Sequence, residues 1–201
     1  MRRRHLLLGA AGLLFVRHAL AQGVSRVRGD VTINGQAAQQ GMAVRPGDKI
    51  ATGPGGQVVF AVDRDAMLVR ENSSVELARN ALRVVSGAVL SVFAPKQPKQ
   101  IRTPTSTIGI RGTAVYVEVQ AERTYVCTCY GEAVLEPAGD PSARETVRTT
   151  HHEQPRYIHA RGAPKMVTPA PMLNHTDAEL EMLEALAGRE PPFKGKSYPR
   201  Y

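Results

Sequence analysis

The chain holds two cysteines, Cys127 and Cys129, in the run Tyr125-Val126-Cys127-Thr128-Cys129-Tyr130. Residues two apart on an extended strand share a face. The two thiols are therefore expected side by side. Four histidines follow: His151, His152, His159 and His175. Thiolate and imidazole together are the ligand set of zinc and copper. The candidate metal ligands are therefore Cys127, Cys129, His151, His152 and His159. Their spacing fits no standard zinc motif. His151 and His152 would face opposite ways on a strand, so both can reach one ion only at a turn or bulge. Two other chemistries stay open. In an oxidising compartment the pair could form a disulfide. A Cys-x-Cys bridge along a strand would be strained, because its Cα atoms lie ~6.5–7 Å apart, at the edge of the usual range, and a strained bridge is a labile redox switch. Alternatively the thiols are free and partly covered, without a task.

Little else could do chemistry. Residues 22–136 contain no histidine, and no Ser-His-Asp set suggests itself, so no catalytic residue is assigned and the expected activity is binding rather than catalysis. Asp63 and Asp65 flank Arg64 as at a hairpin tip. Gly53, Gly55 and Gly56 are followed by neither Lys-Ser nor Lys-Thr, and no helix stands behind them to hold a phosphate.

The elements that must position these residues are strands. From Val24 to Glu136 short β-type runs alternate with Gly-rich punctuation: Val58 to Val62, Met67 to Val69, Leu82 to Val85, Val89 to Phe93, Ala114 to Val119 and Thr124 to Thr128. Val115, Val117 and Val119 share one face, with Tyr116, Glu118 and Gln120 on the other. A unit of apolar or Cys residue, any residue, Gly, any residue and apolar strand recurs around Gly29, Gly87, Gly112 and Gly131. Its spacing is too irregular for a strict solenoid. The fold class is all-β: a rolled or solenoid-like sheet of short strands, bent or bulged at the glycines, with a small C-terminal helical appendage. Hydrophobic residues make up 42% of the chain and Trp is absent, so the core rests on Val, Ile, Leu and Ala.

The formal charge is +8 over 201 residues. Residues 1–21 contribute four arginines and no acid, which leaves 22 bases against 18 acids in the remainder. Those bases are scattered, which argues against a nucleic-acid partner. Residues 1–21 read as a signal peptide: Arg2 to Arg4, an apolar run from Leu6 to Val16, and Ala19-Leu20-Ala21 before cleavage after Ala21. Arg3-Arg4-His5-Leu6-Leu7 also suits a twin-arginine signal. The expectation is a periplasmic protein without a transmembrane segment in its mature chain.

Four ordered motifs carry a family resemblance. They are Gly47-Asp48-Lys49-Ile50-Ala51-Thr52-Gly53, then Asn72-Ser73-Ser74-Val75-Glu76-Leu77, then Thr103-Pro104 with Ile108-Gly109, then Arg111-Gly112-Thr113. In this order the chain resembles the FecR-type periplasmic domain over Val24 to Glu136. The resemblance puts Val126 and Thr128 on the family's apolar positions, so Cys127 and Cys129 are expected to point outward. The resemblance implies a β-domain that binds other envelope proteins, and a place in envelope signalling linked to a sigma factor and an outer-membrane receptor. A leader-like segment stands where the regulators of that family carry an anti-sigma segment and a membrane span, so direct sigma-factor control is not expected. Gly47, Asp48, Gly53, Asn72, Ser73, Arg111, Gly112 and Thr113 are read as fold-building: Asp48 bonds backbone N–H groups of its own turn, and Arg111 anchors a neighbouring turn through carbonyls.

After residue 136 the composition shifts. Residues 137–161 form an extension with last strands, 162–176 a Pro-rich linker, 177–188 a helix and 189–201 an extended, mobile tail. Thr176 with Glu179 forms a capping box and Gly188 ends the helix. Leu180, Leu183 and Ala187 form its apolar stripe, suited to packing on the β-domain or docking a partner.

Overall fold

A computed structural model describes residues 22–198; the expected signal peptide and its cleavage site lie outside the described residues. The strands in chain order are β1 (Gly23–Arg28), β2 (Val31–Ile33), β3 (Gln36–Ala37), β4 (Lys49–Thr52), β5 (Gln57–Val62), β6 (Asp65–Val69), β7 (Ser74–Ala78), β8 (Ala81–Val92), β9 (Pro98–Arg102), β10 (Ser106–Val119), β11 (Arg123–Pro137), β12 (Glu145–Thr149), β13 (Arg156–His159) and β14 (Val167–Pro169). One helix, α1 (Asp177–Leu186), follows them. The strands join one rolled sheet, antiparallel except where β8 meets β9.

The chain is all-β, as the alternating runs require. The strands that matter most are longer than those runs. β8, β10 and β11 are 12, 14 and 15 residues long, because each passes through a glycine bend. Gly87 has φ +74° and a Cβ there would lie 2.1 Å from Ser73 Oγ; Gly112 has φ +58° and a Cβ would lie 2.7 Å from Pro95 Cα. No other residue type fits either place. The bend at Gly112 coincides with a register shift between β10 and β11.

The family motifs knit adjacent turns. Asp48 accepts from Arg45 N at 2.7 Å and from Asn34 Nδ2 at 2.8 Å. Gly47 N donates to Leu77 O, Gly53 N to Asp30 O, and Asn72 N to Gly53 O. Ser73 Oγ accepts from Ala88 N at 2.9 Å. Thr113 continues β10 beyond Gly112. Arg111 departs from its expected role: it is exposed and faces the Glu132 carboxylate at 4.0 Å instead of holding a carbonyl turn.

Period-two alternation builds two cores. Val58, Phe60, Met67, Val69, Val89, Val115, Val117 and Val126 fill the inside of the roll. Their neighbours Val59, Ala61, Leu68, Leu90, Val92, Ala114, Tyr116, Tyr125, Cys127 and Cys129 face the other way. That second face is also buried, which explains why β5 and β6 read as unbroken apolar runs. What covers it is the C-terminal segment. Leu180 and Leu183 of α1 are fully buried, and Ala187 and Phe193 nearly so. The capping box at Thr176 and Glu179 is formed, and Gly188 has φ +72°. The stretch after the helix, expected to be extended, closes in turns and puts the Phe193 ring against Tyr130.

Candidate metal centre

β11 is paired along one edge by β13 through residues 123–126 and by β12 through residues 131–135. Between them, residues 127–130 meet a loop instead of a strand. This loop, residues 150–155, carries His151 and His152 and is tied back by His152 N, which donates to Cys129 O at 2.9 Å. Thr150 N and His151 N both donate to the Glu153 carboxylate, at 2.8 and 3.0 Å. His152 sits in the left-handed region at φ 57°, which is uncommon outside glycine and costs backbone energy. This turn is the irregularity that neighbouring histidines need to present both rings to one side.

The second contributor comes from the far end of the chain. Leu173 N donates to the buried Tyr125 hydroxyl at 3.0 Å. Asn174, also left-handed at φ 57°, donates through Nδ2 to Glu118 at 2.9 Å. His175 is thereby turned inward, stacked on Tyr116 with ring centroids 4.7 Å apart.

Cys127, Cys129, His152 and His175 converge, each at most 4% exposed. Cys127 Sγ lies 3.4 Å from His152 Nδ1, Cys129 Sγ lies 3.4 Å from His175 Nε2, and the two ring nitrogens are 3.1 Å apart. All four ligand atoms fall within 4.8 Å of one another. Sulfur at ~2.3 Å and nitrogen at ~2.0 Å from a tetrahedral zinc are ~3.3–3.8 Å from each other. The two sulfur–nitrogen separations match those edges, and the four atoms are close enough together for one ion to draw them in.

The far sides of both rings are fixed as well. His175 Nδ1 lies 2.6 Å from Leu173 O, and His152 Nε2 lies 3.2 Å from Asp177 Oδ1. A carbonyl or carboxylate on the remote nitrogen sets the tautomer, leaving the near nitrogen's lone pair for a metal. His151 Nε2 shares the same carboxylate at 2.9 and 3.0 Å.

Burial disfavours ionising either thiol. For Cys127 it is outweighed by hydrogen bonds from Cys129, His152 and His175, which hold this thiol well below the ordinary range. Cys129 is driven well above it, by burial first and then by the neighbouring Cys127. Burial works to lower His152, but Cys127 and Asp177 raise it on balance. Ligand thiols must lose their protons to bind a metal, so a lowered Cys127 suits a site that a cation can take over.

The structure departs from the sequence expectation in the burial of the cysteine face and in the choice of histidines. Cys127 and Cys129 do share a face, but that face is buried, because the C-terminal segment lies on it. Both thiols are free in the structure. Of the expected histidines only His152 reaches the sulfurs; His151 stops at Asp177, and His159 bonds Thr168 Oγ1 at 2.9 Å on β13. His175, absent from the expected set, supplies the fourth ligand atom. One signal pointed to it: it directly precedes a capping box whose helix bears an apolar stripe, and such a helix must lie on some face of the sheet.

The family described as FecR protein matches residues 48–151, more than half of the chain, and the chain belongs to the FecR family. Cys127 and Cys129 fall inside the matched span; His152, His175 and α1 follow it. Two crystal structures of a candidate anti-sigma factor from Parabacteroides distasonis ATCC 8503 are similar at 10% and 11% identity, each with TM-score 0.49. In both, 61% of this chain is covered, and the chain spans 58% of the neighbour's length. None of the curated proteins matches the chain.

Proposed function

We propose that this FecR-family domain is a non-catalytic binding module of the bacterial envelope that holds one zinc ion in a closed Cys2His2 centre at Cys127, Cys129, His152 and His175. The carrying observation is the convergence of these four buried ligand atoms, with both remote ring nitrogens already engaged. Two thiolates and two imidazoles in a tetrahedron suit zinc first, and copper(I) as the soft-metal alternative. All four positions are taken by protein. A catalytic zinc keeps one position for water or substrate, so the closed shell supports a structural or sensory role and not hydrolysis. The family's place among envelope regulators supports a protein partner in the same compartment, reached through the predicted leader. Among the described residues no helix is long and apolar enough to cross a membrane.

The test is elemental analysis of the full chain purified under reducing conditions, with thiol titration on the same sample. About one zinc per chain, lost in Cys127→Ser and Cys129→Ser, supports the reading. Two titratable thiols that bind neither zinc nor copper(I) when these are supplied would reject it.

A further inference from the structure

The ligands come from three separate pieces of chain: strand β11, the 150–155 loop and the residue two places before α1. The third piece is unlike the others. The first two are held in the sheet by strand pairing on either side of them. His175 is the first tie of residues 175–198, which pair with no strand. Upstream, β14 is fixed to β13, and Ala170 N still donates to Pro155 O at 3.0 Å. Residues 171–174 then connect the sheet to the arm.

The arm has other attachments as well: Leu173 and Asn174 just before it bond Tyr125 and Glu118, Arg189 donates to Arg64 O, and Phe193 and Tyr198 pack on His151. α1 is 10 residues long, too short to persist as a helix in water by itself. Arg70 holds its start, donating to Glu179 at 2.9 Å and to Asn174 O at 2.6 Å. Glu184 holds its end, accepting from the Tyr130 hydroxyl and from Arg189 Nε. Docking buries Leu180, Leu183 and Phe193, which favours the closed arrangement. It also brings His175 and Asp177 against His152, His151 and two buried sulfurs. Without a cation Cys127, Cys129, His152 and His175 are held almost wholly out of water in the closed arrangement, and that desolvation opposes closure.

We propose that the metal is a latch: its binding decides whether the arm, residues 175–198, lies on the second face of the sheet or leaves it. This rests on the metal reading above and adds its consequence. A cation that needs His175 can be held at full strength only with the arm closed. By thermodynamic reciprocity, closure tightens cation binding by the factor by which the cation favours closure, and apparent affinity falls with the closed fraction. The domain thereby converts the supply of a thiophilic cation into a change of surface. Closed, the face of Leu68, Leu90, Val92, Tyr116 and Tyr130 is covered; open, it is bare.

The test uses the full chain and zinc(II) alone, with hydrogen exchange read by mass spectrometry in the metal-free and one-equivalent forms. On metal removal, exchange in 175–198 should quicken at least ~10-fold, the coupling expected of linked sites, while peptides of β5 and β6 stay protected. Zinc should restore the slow exchange. In parallel, Arg70→Ala and Leu183→Ala touch no ligand, yet each should weaken zinc binding in chelator competition by the factor by which it opens the arm. A chain that binds one zinc but shows the same arm exchange with and without it, and wild-type affinity in both variants, would overturn the latch and leave the metal site standing. Loss of protection throughout the sheet would also overturn it, since the ion would then hold the whole domain. A chain that binds no zinc overturns the metal reading itself.

Discussion

Asp177 touches no sulfur and would touch no metal, yet the account gives it a measurable part in metal affinity. Its carboxylate accepts from His152 Nε2 at 3.2 Å and from His151 Nε2 at 2.9 Å. It is the first residue of α1, so it joins the helix to the ligand ring. Removing a carboxylate behind a metal-bound histidine typically weakens metal binding about 10–100-fold, or about 1.4–2.7 kcal/mol at 1.36 kcal/mol per decade. Asp177→Ala also removes an acidic residue from the first helical turn, worth about 0.3–1 kcal/mol. The helix effect also lowers the metal-free Tm, where it is read by itself. The assay is thermal unfolding of wild type and variant, each metal-free and at one fixed free zinc concentration. Zinc stabilises by mass action on the folded state, so the zinc-induced increment in Asp177→Ala should shrink by about 1.4–2.7 kcal/mol. At roughly 2–4 °C per kcal/mol for a domain of this size, that is about 3–11 °C of Tm. An increment equal to that of wild type, with only the metal-free Tm lowered, would refute the reasoning and reduce Asp177 to a helix residue.

Three further outcomes follow from the geometry. His159→Ala should leave zinc stoichiometry and affinity unchanged in chelator competition, since its ring is engaged with Thr168 on β13. Gly87→Ala should destabilise by more than about 2 kcal/mol in denaturant unfolding, because the backbone has φ +74° and a Cβ would lie 2.1 Å from Ser73 Oγ. Burial works to raise the Glu118 carboxyl, but hydrogen bonds from Asn174, Gln120 and Tyr116 outweigh it and hold it below the ordinary carboxylate range. A depressed folded value means that its contribution is present at neutral pH and is lost as pH falls below the unfolded carboxylate value toward the folded one. Glu118→Gln should therefore flatten the stability-versus-pH curve of the metal-free protein in that acidic window, and an unchanged slope would contradict this.

The sheet was legible because its signals are local. Val115 and Val117 alternate with Tyr116 whatever lies above them, and Gly87 and Gly112 mark bends that no other residue type can make. The helix was legible through Thr176, Glu179 and Gly188 for the same reason. Exposure was not. Whether the Cys127 face meets water depends on where residues 175–198 come to rest, 46 or more positions away, and strand periodicity carries no information about that. Placing the pair outward was right about direction and wrong about solvent. The histidines followed the same logic. His152 lies in a turn that separates β12 from β13, and this gap in pairing appears only once both strands are seen to share the edge of β11. His175 joins only when α1 is docked. Arg111 went astray differently: a base next to a glycine turn suggests a carbonyl partner, but Glu132 stands opposite it across the β10–β11 pair.

The most direct test of the central claim is X-ray absorption at the zinc edge of the loaded full-length protein. Two sulfur neighbours at ~2.3 Å and two nitrogen neighbours at ~2.0–2.1 Å, the tetrahedral Cys2His2 distances, are predicted, with the sulfur shell reduced in Cys127→Ser and the nitrogen shell reduced in His175→Ala. A first shell of nitrogen and oxygen alone, or one indifferent to both substitutions, would contradict the account.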